Sequence, residues 1–126
     1  MSLQEKRLRF VGSSREDLKS FPKPVMTDIG FALRTAQQGG KAQNAKPLKG
    51  FHGASTLEVV SNFDGDTFRA VYTVRFEEAV YVLHCFQKKS KSGIATPKHE
   101  LETVKARLKQ ATEAHAQWQR EHRESQ

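Results

Sequence analysis

The sequence predicts an α+β domain. A small antiparallel meander of strands is flanked by helices at the N-terminal end and by one long C-terminal helix. Three observations carry this prediction. Apolar residues recur at helical spacing from Pro24 to Ala36 and again from Leu101 to Trp118. Between them, the segments 56–62, 67–76 and 79–87 show the two-residue period of strands. An Asp64-Gly65 pair separates the first two of those segments, where a tight hairpin turn belongs.

Leu8, Phe10 and Val11 mark a short basic β segment near the start. Ser13-Ser14-Arg15-Glu16-Asp17 then reads as a helix start, because an N-cap serine accepts an orphan backbone N–H and a following acid can cap back. Pro22 and Pro24 interrupt the chain. A second helix from Pro24 places Met26, Ile29, Leu33 and Ala36 on one side. Gly39-Gly40 ends it, since glycine adopts the left-handed C-terminal conformation without steric cost. Lys41 to Gly53, containing Pro47 and Gly50, is expected to be a loop.

Thr56 to Asn62 forms the first strand of the meander, with Leu57 and Val59 on one side. From Thr67 to Phe76, the side chains of Phe68, Ala70, Tyr72, Val74 and Phe76 point one way, and Arg69, Val71, Thr73 and Arg75 the other. A turn at Glu77-Glu78 leads into Ala79 to Gln87. There Val80, Val82, His84 and Phe86 share one face, opposite Tyr81, Leu83, Cys85 and Gln87. Lys88 to Ala95 is a basic loop. Thr96-Pro97 then starts the long helix, with Thr as cap and Pro at the first helical position. Leu101, Val104, Leu108, Ala111 and Trp118 form its apolar stripe, and the polar tail from Gln119 is expected to fray.

A length of 126 residues fits a single domain over positions 1–126. The one cysteine, Cys85, rules out an intramolecular disulfide and a Cys-based zinc site. No apolar run approaches the roughly 20 residues that span a bilayer. Residues Met1 to Arg7 lack the apolar core of a signal peptide. The expected location is therefore cytoplasmic, with no membrane partner. Lys and Arg number 21 against 14 Asp and Glu, a net charge of +7, which makes a polyanion the leading partner class. The excess sits in two acid-free windows: Asp28 to Glu58, holding Arg34, Lys41, Lys46 and Lys49, and Glu78 to Glu100, holding Lys88, Lys89, Lys91 and Lys98.

The residues best suited to chemistry are Arg69, Tyr72, Arg75, His84, Lys88 and Lys89, with Lys49 from the preceding loop. Metal-free RNA cleavage needs a group to activate the ribose 2′-hydroxyl, a group to protonate the leaving 5′-oxygen, and cations to neutralise the phosphate. Histidine suits proton transfer near neutral pH. Arginine and lysine suit phosphate, and tyrosine stacks a base or relays a proton. Structural readings stand beside these. Arg69 and Arg75 also fit a solvated sheet face. The apolar neighbours of His84 favour a hydrogen-bonded core histidine. Lys88-Lys89-Ser90-Lys91 fits a solvated loop, Tyr72 lies on the expected core face, and Cys85 fits a small buried residue. The five histidines form no metal motif, and neither a P-loop nor a dinucleotide fingerprint is present. No metal and no cofactor are expected.

One stretch is more specific. Tyr72, Val80-Tyr81-Val82-Leu83-His84-Cys85-Phe86-Gln87-Lys88-Lys89-Ser90-Lys91, Thr96-Pro97 and Glu100 together resemble the signature of phage-derived RelE/HigB-like toxins. Leu48-Lys49-Gly50, Leu57-Glu58-Val59 and Phe68-Arg69-Ala70-Val71-Tyr72 precede it in the family's order. The resemblance covers Lys46 to Leu108, and the first forty residues match only loosely. It implies a RelE-like fold and the toxin of a type II toxin–antitoxin system. The implied activity is a metal-independent, ribosome-dependent endoribonuclease that cleaves mRNA by 2′-hydroxyl attack on the adjacent phosphate. The implied partners are mRNA, the ribosome and a cognate antitoxin of helix-turn-helix type, with DNA reached only through the antitoxin. Lys49 and Arg69 would bind phosphate or rRNA, with Tyr72 and Lys91 at the same surface. Arg75 would neutralise transition-state charge, and His84 would act as acid or base. Lys88 and Lys89 would contact RNA and include the catalytic cation. The loop from Ser90 to Ala95 is longer than the family's common form. Regular pairing would leave Arg75 and His84, and likewise Arg69 and Tyr72, on opposite sheet faces; a bulge or an edge is needed to unite either pair. The competing classes are a non-catalytic RNA- or ribosome-binding module and a basic protein that sequesters an acidic partner.

Overall fold

The computed structural model describes residues 5–51, 53–88 and 96–124. Residues 89–95, which include Lys89 and Lys91 and most of the expected basic loop, lie outside the described residues, as does His52. The elements run β1 (Arg7–Phe10), α1 (Ser14–Lys19), α2 (Lys23–Gln37), β2 (Ala45–Pro47), β3 (Thr56–Phe63), β4 (Asp66–Thr73), β5 (Ala79–Lys88) and α3 (Lys98–Glu124). The strands form one five-stranded sheet in the order β1-β5-β4-β3-β2.

The expected meander is β3-β4-β5, antiparallel throughout. Its first hairpin turns at Asp64 (φ 53°) and Gly65 (φ 85°), the doubly left-handed geometry that favours this dipeptide. The sheet extends beyond the meander on both sides. β1 pairs with β5 in parallel, and Ala45–Pro47 forms a short antiparallel edge strand inside the expected loop. Three-residue β2 ends in Pro47, a residue tolerated at a sheet edge because no donor is needed there.

Helices cover both faces. On one, Val25, Ile29 and Leu33 of α2 pack on Leu57, Val59, Phe68, Ala70, Tyr72, Val80, Val82 and Cys85. On the other, Val104 and Ala111 of α3 pack with Val71, Tyr81, Leu83 and Phe86. Burying each of these larger side chains is worth about 1.5–3 kcal/mol. The Ser14 hydroxyl donates to the Val82 carbonyl at 3.1 Å, which pins α1 to β5. Helix α2 closes as expected: the Gly39 N–H reaches Ala36 O at 3.0 Å and the Gly40 N–H reaches Thr35 O at 2.9 Å.

Four local expectations change. The Ser13 hydroxyl donates to Asp17 at 2.8 Å and makes no cap bond to the backbone. β4 ends at Thr73, so Phe76 leaves the alternation and packs under α3. Helix α3 begins at Lys98, and the Thr96 hydroxyl that was expected to cap it turns to Glu58. At its far end α3 stays helical to Glu124, and His122 stacks on Trp118 at 4.0 Å.

One irregularity decides the placement of side chains. Along β4 and β5, Val71 faces His84 but Tyr72 faces Val82, so Leu83 is an extra residue on β5. The bulge moves His84 and Phe86 to the α3 face and Cys85 to the α2 face. The carbonyl of the bulged Leu83 accepts from Arg107 Nη1 at 3.1 Å. Arg107 lies against Gly12, where φ is +57° and an added Cβ would stand 2.6 Å from the guanidinium Nε. Gly12→Ala is expected to destabilise the protein by at least about 1–2 kcal/mol from the left-handed backbone alone. The fall should appear as a lower urea midpoint, whereas an unchanged midpoint would mean that the loop does not need this conformation.

Candidate functional site

The α3 face of β3 and β4 holds a buried ionic cluster. Glu58 pairs with Val71 and Arg69 with Val60, so the two charged residues are diagonal neighbours on one face. Arg69 Nη1 donates to Glu58 Oε1 at 2.8 Å, and Thr96 Oγ1 donates to Glu58 Oε2 at 2.6 Å. Glu58 is 3 % and Arg69 6 % exposed, so neither charge would be tolerated here without the other. A solvated face was one of the readings open for Arg69; α3 and Thr96 cover it instead.

Lys88 ends β5 on the same face, opposite Thr67. Burial pushes its ammonium below the ordinary 10.5, the nearby Arg69 charge pushes it further down, and Glu58 offsets part of the shift. Lys88, Arg69 and Glu58 therefore act on one another electrostatically. Glu58 and Thr96 also line a cleft of about 120 Å³, together with Lys46, Pro47, Leu48, Lys49 and Leu101. Lys46 and Lys49 are exposed at its rim. The rim of the cleft thus carries two exposed lysines, with the buried carboxylate–cation set behind them.

His84 is buried beside this cluster. Its Nε2 lies 2.8 Å from Glu100 Oε1, and Arg107 Nη1 lies 3.2 Å from its Nδ1. A guanidinium can only donate and a carboxylate can only accept. The imidazole therefore carries its proton on Nε2 and offers the Nδ1 lone pair to Arg107. The bulge thus brings His84 onto the face of Arg69 and Lys88, which regular alternation would not have done.

The other expected site residues lie elsewhere. Tyr72 is fully buried on the α2 face, its hydroxyl has no hydrogen-bond partner among the described residues, and burial raises its pKa to about 12. It cannot stack a base from there. Tyr72→Phe removes an unpaired buried hydroxyl, which costs about 1–3 kcal/mol. Stability is expected to hold or rise in urea denaturation, with function unchanged; loss of function in a stable variant would restore Tyr72 to the site. Arg75 is exposed on the β4–β5 connection, where it lines a separate hollow with Phe76, Glu77, Glu78 and His115. At that end, His115 Nε2 donates to Glu78 at 2.8 Å, which holds the Glu78 carboxyl below its ordinary value, and the Tyr81 hydroxyl meets Nδ1 at 3.1 Å. Arg75 therefore does not join Arg69, Lys88 and His84. Cys85 is buried in the α2-side core, and burial raises its thiol to about 12, as expected of an inert packing residue.

Sequence reasoning missed Glu58, Glu100, Arg107 and Lys46 as members of this region. Glu58 lies on the strand face opposite Leu57 and Val59, and the pattern assigned that face no partner. Val71 beside Arg69 was the one hint that this face is also covered, because an apolar residue on both faces of a strand marks two-sided burial.

The fold and site define a small basic α+β domain whose mixed sheet carries a buried Glu–Arg–Lys set behind a lysine-rimmed cleft. The chain belongs to the phage-derived Gp49-like family: the family described as "Phage derived protein Gp49-like (DUF891)" matches residues 16–109. The match starts well before Lys46, so the family pattern includes α2 and most of α1, which the sequence resemblance matched only loosely. Among solved structures, the RelBE2 toxin–antitoxin complex of Mycobacterium tuberculosis is similar at 18 % identity and a TM-score of 0.47, covering 71 % of this chain and 98 % of that one. No curated protein matches the sequence. Among the described residues, no helix is long and apolar enough to cross a membrane, and no three His, Cys, Asp or Glu side chains are grouped to hold a metal ion.

Proposed function

We propose that this protein is the toxin of a type II toxin–antitoxin pair and that it cleaves mRNA at the cleft beside Glu58, Arg69 and Lys88. The observation that carries the reading is that buried set, in which a carboxylate and a lysine of lowered pKa flank one guanidinium. The RelE/HigB-like motif around Lys88 and membership of the phage-derived family support the toxin assignment. Lys46 and Lys49 bind the RNA backbone at the rim. Glu58, held by Arg69 and Thr96, takes the proton from the ribose 2′-hydroxyl. The 2′-oxygen then attacks the adjacent phosphorus, and the P–O5′ bond breaks as Lys88 gives its proton to the leaving oxygen. The products are a 2′,3′-cyclic phosphate and a 5′-hydroxyl. Arg69 is buried and donates to Glu58, so it holds that carboxylate in place and its charge helps to lower the Lys88 pKa, instead of gripping phosphate directly. Catalysis on the ribosome belongs to the same proposal, as does a location in the cytoplasm.

The partner is an antitoxin, of helix-turn-helix type on the sequence resemblance. Induction of the chain alone is expected to arrest growth, and co-expression of its cognate antitoxin to relieve the arrest. Unimpaired growth on induction of folded protein would remove the toxin assignment. A second reading, a non-catalytic RNA-binding module, is favoured by one observation: both carboxylate oxygens of Glu58 and both ring nitrogens of His84 are already engaged. It predicts salt-sensitive RNA binding without any cleavage product.

A further inference from the structure

His84 sits inside the family-like motif and beside the proposed site, yet the mechanism above does not use it. Its surroundings explain why. The guanidinium of Arg107 is fixed by three further features: Nη1 also donates to the bulged Leu83 carbonyl at 3.1 Å, Nη2 donates to Ser13 Oγ at 3.1 Å, and Gly12 leaves room for the group to pass. So held, Arg107 meets Nδ1 of His84 and leaves Nε2–H to bind Glu100 Oε1. Glu100 stands in the first turn of α3, four residues after Thr96, whose hydroxyl binds Glu58. A series of contacts therefore runs from the β1–α1 loop through Arg107 and His84 to Glu100 at the start of α3, and Thr96, four residues earlier in the chain, holds the Glu58 carboxylate.

We infer that Arg107 is a positioning residue that locks His84 as the neutral Nε2–H tautomer, and that His84 sets the start of α3 over Glu58 without itself moving a proton. For His84 to act as a base, Arg107 would have to leave Nδ1. To act as an acid through Nε2, it would have to leave Glu100. The consequence for the site rests on the ribonuclease reading; the tautomer does not.

Two measurements test this. The first is nitrogen NMR of ¹⁵N-histidine-labelled protein at alkaline pH, comparing wild type with Arg107→Met. Wild type should show His84 with an unprotonated Nδ1 and a protonated Nε2, and Arg107→Met should lose that preference. A protonated Nδ1 in wild type, or an unchanged tautomer in Arg107→Met, would overturn the lock whatever the protein does to RNA. The second compares RNA cleavage by wild type, His84→Ala and His84→Gln. A glutamine amide can donate to Glu100 and accept from Arg107, but it cannot carry a proton in catalysis. His84→Ala is expected to lose activity by on the order of 10²-fold, the size of effect that a misplacement of about 1 Å produces. His84→Gln is expected to keep most of it. If His84→Gln is folded and as inactive as His84→Ala, His84 is a proton carrier and the positioning role is wrong. If wild type itself leaves RNA intact, the ribonuclease reading falls, and the NMR result alone decides the role of Arg107.

Discussion

Lys88→Met is expected to abolish most RNA cleavage, by about 10²–10⁴-fold, the usual contribution of a positioned general acid. The fold should survive, because methionine is isosteric with the buried stem and removes a charge that burial and Arg69 already disfavour. Lys88→Arg is the sharper variant. It keeps the positive charge, but a guanidinium does not release its proton in a protein. If Lys88 only neutralises phosphate, arginine should restore much of the activity; if it protonates the leaving oxygen, arginine should not. The pH dependence follows from the same shift. An acid must be protonated to act, so the cleavage rate should fall as pH rises through the lowered Lys88 value, which lies below 10.5. Stability changes in the opposite sense. Between the lowered folded value and 10.5, the unfolded chain still holds a proton that the native protein has shed, so wild-type stability rises with pH in that window. Lys88→Met should remove this contribution, which paired denaturation curves at several alkaline pH values would reveal.

Arg69→Ala is expected to cost about 3–5 kcal/mol of stability, since it leaves the Glu58 carboxylate buried without the cation that donates to it. Such a loss is a large share of the 5–15 kcal/mol that holds a domain folded. It would be read as a large fall in the urea midpoint. Inactivity of this variant would therefore say little about chemistry. The double variant Glu58→Leu with Arg69→Met separates the two effects. Replacing both partners of a buried ion pair by apolar side chains of similar volume is commonly neutral or stabilising. The double variant should recover wild-type stability and remain inactive on RNA. Full activity in a stable double variant would remove Glu58 and Arg69 from the mechanism.

The helical stripes, the Asp64-Gly65 hairpin and the β3-β4-β5 meander were legible because each rests on local chemistry: spacing, glycine conformation and two-residue alternation. The parallel pairing of β1 with β5 was not, because it joins segments about 70 residues apart and has no turn to announce it. The bulge at Leu83 left no mark either. A leucine fits equally well in a regular strand, yet one extra residue reverses the face of everything after it. That single shift explains why the pattern set His84 with Val80 and Val82, although it stands with Arg69 and Lys88. Arg69 and Lys88 themselves were visible as basic residues at motif positions. Their partner Glu58 stood in the same resemblance, but its place in the site was not legible, because nothing in the sequence says that the segment around Thr96 returns to bind it.

The most direct measurement of the central claim is the chemistry of the RNA ends. Purified wild-type protein and Lys88→Met would be incubated with ribosomes programmed with a defined mRNA, and the new 3′ ends identified. Wild type is expected to leave 2′,3′-cyclic phosphate ends within the coding sequence, and Lys88→Met to leave almost none. Intact mRNA with the wild-type protein bound to it, or cleavage ending in a 3′-hydroxyl, would contradict the account.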